Sequence, residues 1–221
     1  DMVRHLAPLG RATRHEDWAC YHSELWTVHH EGLEIGIVPC AVGAPYAVLV
    51  AEELAASGCR LLVSVTSAGT ITSLGTPPYF VLIERALRDE GTSHRYLPPG
   101  RWATLPGHLA RALDGVFGDL GEPVHHGVSW TTDAPFRETA SAIARAQSAG
   151  VHAVEMEAAA LYSYATARHR DVVCVAHVTT PWPPTGKTSR KATTTAPNAS
   201  SASSPPSPSD GTRCRDRHEM L

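Results

Sequence analysis

Two short apolar runs, Leu61 to Val65 and Val172 to Val178, constrain this chain more than any other feature. Each is too short for a helix core and carries no strict polar alternation, so each is expected to be a strand buried on both faces. Helical patterns separate such runs along the chain. Gly43-Ala44-Pro45 forms a turn, and Pro45 suits the first turn of a helix over Ala47 to Ala56 that Ser57-Gly58 ends. Leu33 to Val38, Tyr79 to Ile83, Val124 to Trp130 and Val151 to Val154 are further expected strands. Leu105 to Leu120, although weakened by glycines, and Pro135 to Ser148 are expected helices. This rhythm predicts an α/β layered domain on a largely parallel sheet, over residues 1–180.

In such sheets ligands bind at the carboxyl ends of strands. Ser67, Glu157 and Thr179 all fall just after strands and can converge on one cleft. Thr66-Ser67-Ala68-Gly69 supplies hydroxyls and backbone N–H groups at a strand end, either as an anion cradle or as a plain turn. Val154-Glu155-Met156-Glu157-Ala158 places two carboxylates around a methionine, and a small-residue helix follows. Glu157 in its first turn suits the helix dipole. There it either solvates and caps the turn or accepts hydrogen bonds from two neighbouring hydroxyls, as on a ribose. Trp130 to Glu138 reads two ways: Trp130, Phe136 and Arg137 beside a flat base, or a helix cap with Asp133 at the N-cap and Pro135 in the first turn. No G-x-S-x-G elbow supports a hydrolase triad on Ser67.

Composition narrows the classes. A net charge of -3 gives no reason to expect nucleic acid or an anionic membrane. No run is long and apolar enough for a bilayer, and no secretory signal is visible. The five cysteines lie far apart and match no metal spacing. Cys40, Cys59 and Cys174 are expected as reduced core thiols of a cytoplasmic protein. The thirteen histidines form no metal-ligand pattern, so no metal is expected. Residues 181–221 are rich in Pro, Ser and Thr and lack an apolar period. Thr193 to Asp210 is expected to be disordered.

Five segments in this order resemble the nucleoside phosphorylases of the purine and uridine phosphorylase superfamily. They are Gly43-Ala44-Pro45 with Ala51-Glu52-Glu53-Leu54, Val65-Thr66-Ser67-Ala68-Gly69, Ala86 to Thr92, Trp130-Thr131-Thr132-Asp133, and Val154-Glu155-Met156-Glu157-Ala158. The resemblance covers residues 1–180. It implies a three-layer αβα fold on a mixed, largely parallel sheet, a homodimer or larger homo-oligomer, and cleavage of a nucleoside by inorganic phosphate to base and pentose 1-phosphate. Phosphate is then a co-substrate and no other cofactor is implied; some relatives use water. By the same resemblance Glu157 holds the ribose hydroxyls, Met156 lines the sugar, and Ser67 and Arg4 contact phosphate. Trp130, Phe136 and Arg137 lie beside the base. Arg4 matches the arginine of an N-terminal phosphate loop with Asp1 as its acid, and the loop's glycine is absent.

Two departures stand out. The family's arginine three residues before the phosphate-binding hydroxyl is Ser64 here, which removes a bidentate donor. After Val178 the purine enzymes carry a Ser-Asp pair, and here Thr179-Thr180 stands. This leaves a nucleosidase, or a remnant that keeps the fold without turnover, as alternatives. The segment from Thr179 onward adds a further expectation. With suitable codons, Thr179 to Pro183 and Lys187 to Ala192 spell Asn-Thr-Met-Ala and Asp-Phe-Glu-Lys-Gly in one shifted frame, words the family carries there. The tail is thus expected to be an out-of-frame translation, and the closing helix of the domain to be missing.

Overall fold

The computed structural model describes residues 2–179, all of which fall in one compact unit. The expectations for Asp1 and for residues 180–221 lie outside the described residues. The chain opens with a short helix α1 (Met2–Leu6) and a 3-10 turn (Ala7–Leu9) closed by Gly10 at φ 64. A small antiparallel sheet follows, with strands β1 (Thr13–Arg14), β2 (Trp26–His30) and β3 (Leu33–Ile37) in that order. Glu31 and Gly32 both have positive φ, the geometry of a tight two-residue hairpin turn, and they set the His30–Leu33 register.

The second sheet holds the domain together. Helix α2 (Ala44–Ala56) leads into β4 (Leu61–Ser67), and β5 (Gly69–Thr70) follows at once. Next come β6 (Tyr79–Asp89), α3 (Ser93–Tyr96), β7 (Trp102–Thr104), α4 (Gly107–Ala112) and β8 (Val124–Thr132). The described chain closes with α5 (Ala140–Ser148), β9 (Ala153–Glu155), α6 (Ala158–Arg168) and β10 (Asp171–Val178). Strand order is β4-β10-β6-β8-β9-β5, with β7 beside β6. The β4–β10, β6–β8 and β8–β9 pairs are parallel, and β10–β6, β6–β7 and β5–β9 antiparallel. Strand β6 gives one edge first to β10 and then to β7, and its pairing with β8 on the other edge shifts register between Ile83 and Arg85. The sheet curls so far that its outer strands, β4 and β5, are separated in sequence by Ala68 alone.

Helices cover both faces, which makes the fold three-layered. On one face α6 is buried from Ala158 to Ala165 and packs with α2, whose Ala44, Ala47, Val48 and Ala51 are also buried. A helix apolar all round belongs inside a domain, and α6 is such a helix. Its two buried phenols find partners: Tyr162 donates to Ile83 O and accepts from Cys174 N, and Tyr164 donates to Ala51 O. Burial pushes the Tyr162 phenol well above its usual pKa. On the other face Ala146 of α5 meets Ile71, Val128, Trp130, Val151 and Val154. No helix among the described residues is long and apolar enough to cross a membrane.

Several elements differ from expectation. The helix over Leu105 to Leu120 is reduced to α4, because Gly115 takes φ 71 and ends helical geometry. The helix from Pro135 splits into a 3-10 turn (Pro135–Arg137) and α5, capped by the Thr139 hydroxyl, which accepts from Ala142 N; Asp133 is not its cap. Cys40 is exposed rather than in the core, whereas Cys174 is buried as expected and Cys59 is half-buried.

The largest difference concerns β4. Leu61, Val63 and Val65 are 50%, 53% and 65% exposed, so only the opposite face of this strand, with Leu62, Ser64 and Thr66, turns inward. The strand lies at the sheet's end beside β10, and among the described residues nothing covers its outer face. An apolar run without polar alternation cannot reveal this, since both faces look alike. Val63→Thr should therefore change unfolding free energy by less than about 0.5 kcal/mol, as exposed positions do. It should also lower dye binding to apolar surface. A loss above about 1 kcal/mol in denaturant titration, the scale of a core change, would place Val63 in a packed interior instead.

Candidate active site

Strand β9 ends on Glu155 and α6 starts at Ala158, so two residues make the corner. A helix start leaves backbone N–H groups without partners, and burial makes each costly. Glu155 meets that need. One carboxylate oxygen accepts from Glu157 N and Ala158 N, both at 2.7 Å. The other accepts from the Ser129 and Thr131 hydroxyls of β8, and the Thr131 oxygen accepts in turn from Ala159 N. Burial pushes the Glu155 carboxyl up to about 7 against the pull of these donors, and the neighbouring Glu157 charge pushes the same way.

With the cap supplied by Glu155, the Glu157 side chain is released from that task. Glu157 occupies the N-cap position at φ -129 and makes no side-chain cap bond. Its carboxylate turns across the corner. Oε1 accepts from Gly43 N at 2.7 Å, and Oε2 from the Thr66 hydroxyl at 3.0 Å and from Met156 N at 3.3 Å. The start of α2, the inner face of β4 and the start of α6 thus meet on the carboxylate of Glu157, a residue only 4% exposed. Gly43 reaches it at φ 92, a backbone state that a side chain would strain.

The other sequence-predicted residues take varied positions. Ser67, the last residue of β4, is exposed and stands opposite His177, whose carbonyl accepts from Ala68 N. Ser64 shares the inner face of β4 with Thr66. Met156 is half-buried, between the two glutamates. Arg4 is exposed on α1. Trp130 is buried in the core beneath α5, and its indole N–H donates to Asp89 at 2.8 Å. Phe136 is 92% exposed, next to exposed Arg137 in the 3-10 turn. The Asp133 carboxylate accepts from Gly91 N at 2.8 Å. The Thr70 hydroxyl on β5 is buried without a hydrogen-bond partner among the described residues. An open groove of about 540 Å³ runs between α2 and the 91–96 segment, lined by Val48, Glu52, Thr92 and Tyr96, and Glu157 does not line it.

Sequence reasoning read Gly43 as a turn and Thr66 as part of a cradle or turn, and gave Glu155 no task of its own; none of the three was expected to hold the corner or its carboxylate. Glu155 carried one available signal: an acid three residues ahead of the first residue of a helix, at the end of a buried strand. The Gly43 contribution is a backbone N–H, which leaves no mark in the residue type.

Comparison with known proteins agrees with this architecture. A family model described as the phosphorylase superfamily matches residues 4–203. A guanosine phosphorylase of Halorubrum lacusprofundi is 27% identical over 137 residues, covering 62% of this chain and 56% of that protein. A uridine phosphorylase of Thermococcus kodakarensis is 29% identical over 108 residues, covering 49% and 39%. The chain thus spans roughly half the length of these relatives or less. A crystal structure of uridine phosphorylase from Vibrio fischeri ES114, complexed with 6-hydroxy-1-naphthoic acid, superposes with a TM-score of 0.71 at 21% identity, over 82% of this chain and 74% of that one. A second structure of that enzyme gives 0.70 at the same identity, over 80% and 74%. At this identity the likeness speaks for the fold.

The raised Glu155 carboxyl has a consequence for stability. The folded chain keeps this proton up to about pH 7, while an unfolded carboxyl releases it near 4.5. Between those values the folded state binds more protons, so stability contributed by this group falls as pH rises. Glu155→Gln removes the titration and retains an acceptor for the backbone N–H groups. Melting temperatures followed from about pH 5 to about pH 8 should therefore decline more steeply in wild type than in the variant. Parallel profiles would show that Glu155 does not titrate in that window.

Proposed function

The chain belongs to the phosphorylase superfamily, and from that premise we propose that it cleaves the N-glycosidic bond of a nucleoside with inorganic phosphate. The products are the free base and a pentose 1-phosphate. The observation that carries the proposal is the buried Glu157 carboxylate, held where α2, β4 and α6 meet.

Bond cleavage builds positive charge on the sugar in an oxocarbenium-like transition state. A fixed carboxylate against the sugar hydroxyls favours that charge and costs no reorganisation as the bond breaks. Glu157 is assigned this role, with Met156 against the sugar. Exposed Ser67 and the turn after it are assigned to phosphate together with Arg4. Phe136 and Arg137 are assigned to the base, with Trp130 fixing β8 in the core. Holding nucleoside and phosphate together removes much of the entropic barrier. Phosphorolysis needs no redox group or electron sink, so phosphate is the single co-substrate proposed. The proposed setting is nucleoside salvage in the cytoplasm by a homodimer or larger homo-oligomer.

Ser64 favours a second reading. It occupies the inner face of β4 beside Thr66 and offers one neutral hydroxyl where the resemblance implies a guanidinium. A weak phosphate site would let water attack, which gives a nucleosidase.

A panel that includes guanosine and uridine, assayed with and without phosphate, separates these readings. Base release is expected to require phosphate. Release that is unchanged without phosphate means hydrolysis, and no release in either buffer means a fold without turnover. Glu157→Gln should lower kcat/KM by more than about tenfold, since hydrogen bonds to charged groups contribute about 1.5–3 kcal/mol. Turnover near wild type in this variant removes the sugar role of Glu157. Ser64→Arg should lower the KM for phosphate, and a KM that stays or rises shows that another group already serves there.

A further inference from the structure

A carboxylate offers about four lone-pair positions to donors. The protein already fills three on Glu157: one oxygen takes Gly43 N–H, and the other takes the Thr66 hydroxyl and Met156 N–H. A vicinal diol brings two donors to a carboxylate with room for one, so one protein donor must leave. The three differ in their freedom to do so. Met156 N–H sits in the corner fixed by the cap on α6. Gly43 N–H belongs to the N-cap of α2, whose carbonyl accepts from Ala47 N at 2.9 Å. The Thr66 proton turns about a single bond, and a second acceptor stands ready, Ser67 O at 3.3 Å from the same hydroxyl. One proton serves one acceptor at a time.

We infer that the Thr66 hydroxyl is a placeholder for one sugar hydroxyl on Glu157, and that it sets how strongly the site prefers ribosides over 2′-deoxyribosides. A riboside displaces Thr66 from Glu157 onto Ser67 O and gains only the difference between the two bonds. A 2′-deoxyriboside uses the open position and displaces nothing. The placeholder therefore compresses discrimination between the two sugars. This inference rests on the sugar role proposed above for Glu157, and it makes Thr66 a positioning and specificity residue.

The test is the ratio of kcat/KM for uridine over 2′-deoxyuridine and for guanosine over 2′-deoxyguanosine. Thr66→Val keeps the β-branched shape and removes the donor, so the ratio should rise about fivefold, part of what one hydrogen bond to a charged group can supply. The rise should lie in the riboside KM. Thr66→Ser retains the hydroxyl and should keep the wild-type ratio, which a packing effect would not. Should Thr66→Val fail to fold, Thr66→Ala removes the same donor and should raise the ratio likewise. An unchanged or lower ratio in the donor-free variant overturns the inference, as does a Thr66→Ser ratio that moves with it. Glu157→Gln tells the two levels apart. If it abolishes the riboside preference while Thr66→Val leaves the ratio alone, the sugar role stands and the placeholder falls. If wild type releases no base from any of the four nucleosides, or Glu157→Gln keeps the full preference, the sugar role falls and takes the placeholder with it.

Discussion

Glu155 accepts four hydrogen bonds, two from backbone N–H groups at the start of α6 and two from hydroxyls of β8. Those bonds weld β8, β9 and α6 into one corner. Because the helix start is satisfied from beneath, the next carboxylate in the sequence need not cap it. Glu157 is free to reach across to α2 and β4, and that reach gathers the site. Two residues of one type, separated by Met156, thus divide two tasks that a single carboxylate could not perform together. Both are buried, but one caps the helix from beneath and the other lies where the starts of α2 and α6 meet the inner face of β4.

The same corner explains why α6 can be so apolar. A helix buried from Ala158 to Ala165 has no wet side on which its first N–H groups could find water. Its cap must come from within the core, and the Thr131 hydroxyl extends the cap to Ala159 N. The phenols of Tyr162 and Tyr164 then tie the helix body to β6, β10 and α2 through backbone atoms. Polar satisfaction here is a condition of the packing and not an addition to it.

Much of this was legible in the residues. Pro45 behind Gly43 marks the start of α2, and the Val172 to Val178 run is a strand of the buried sheet, as its composition says. The corner at Glu155-Met156-Glu157 was visible as a pair of acids between a strand and a helix. Which acid does what was not, because the answer lies in β8 hydroxyls some two dozen positions upstream and in the Gly43 N–H far earlier in the chain. The outer face of β4 was misjudged for a related reason. Leu61 to Val65 carries no alternation, so the run shows a strand but not which of its faces is covered. Trp130 looked suited to stacking on a base because its residue type serves that purpose, yet β8 turns it into the core against α5. Leu105 to Leu120 had a helical period, and Gly115 in left-handed geometry broke it.

Sheet order also governs when this protein can become itself during synthesis. The parallel partner of β4 is β10, the last strand of the described chain, and the two contacts from β4 and α2 to Glu157 span 91 and 114 residues. A ribosome delivers β4 long before either partner exists. Through that interval the backbone edge that β10 will pair, and the Thr66 hydroxyl that Glu157 will accept, lack those native partners, while the exposed Leu61, Val63 and Val65 add apolar surface. Loop closure over such lengths is slow relative to local structure, and unpaired apolar strands associate in the meantime. The chain therefore passes an aggregation-prone interval between the delivery of β4 and that of β10, and β4 takes its place at the site only as its sheet partner arrives.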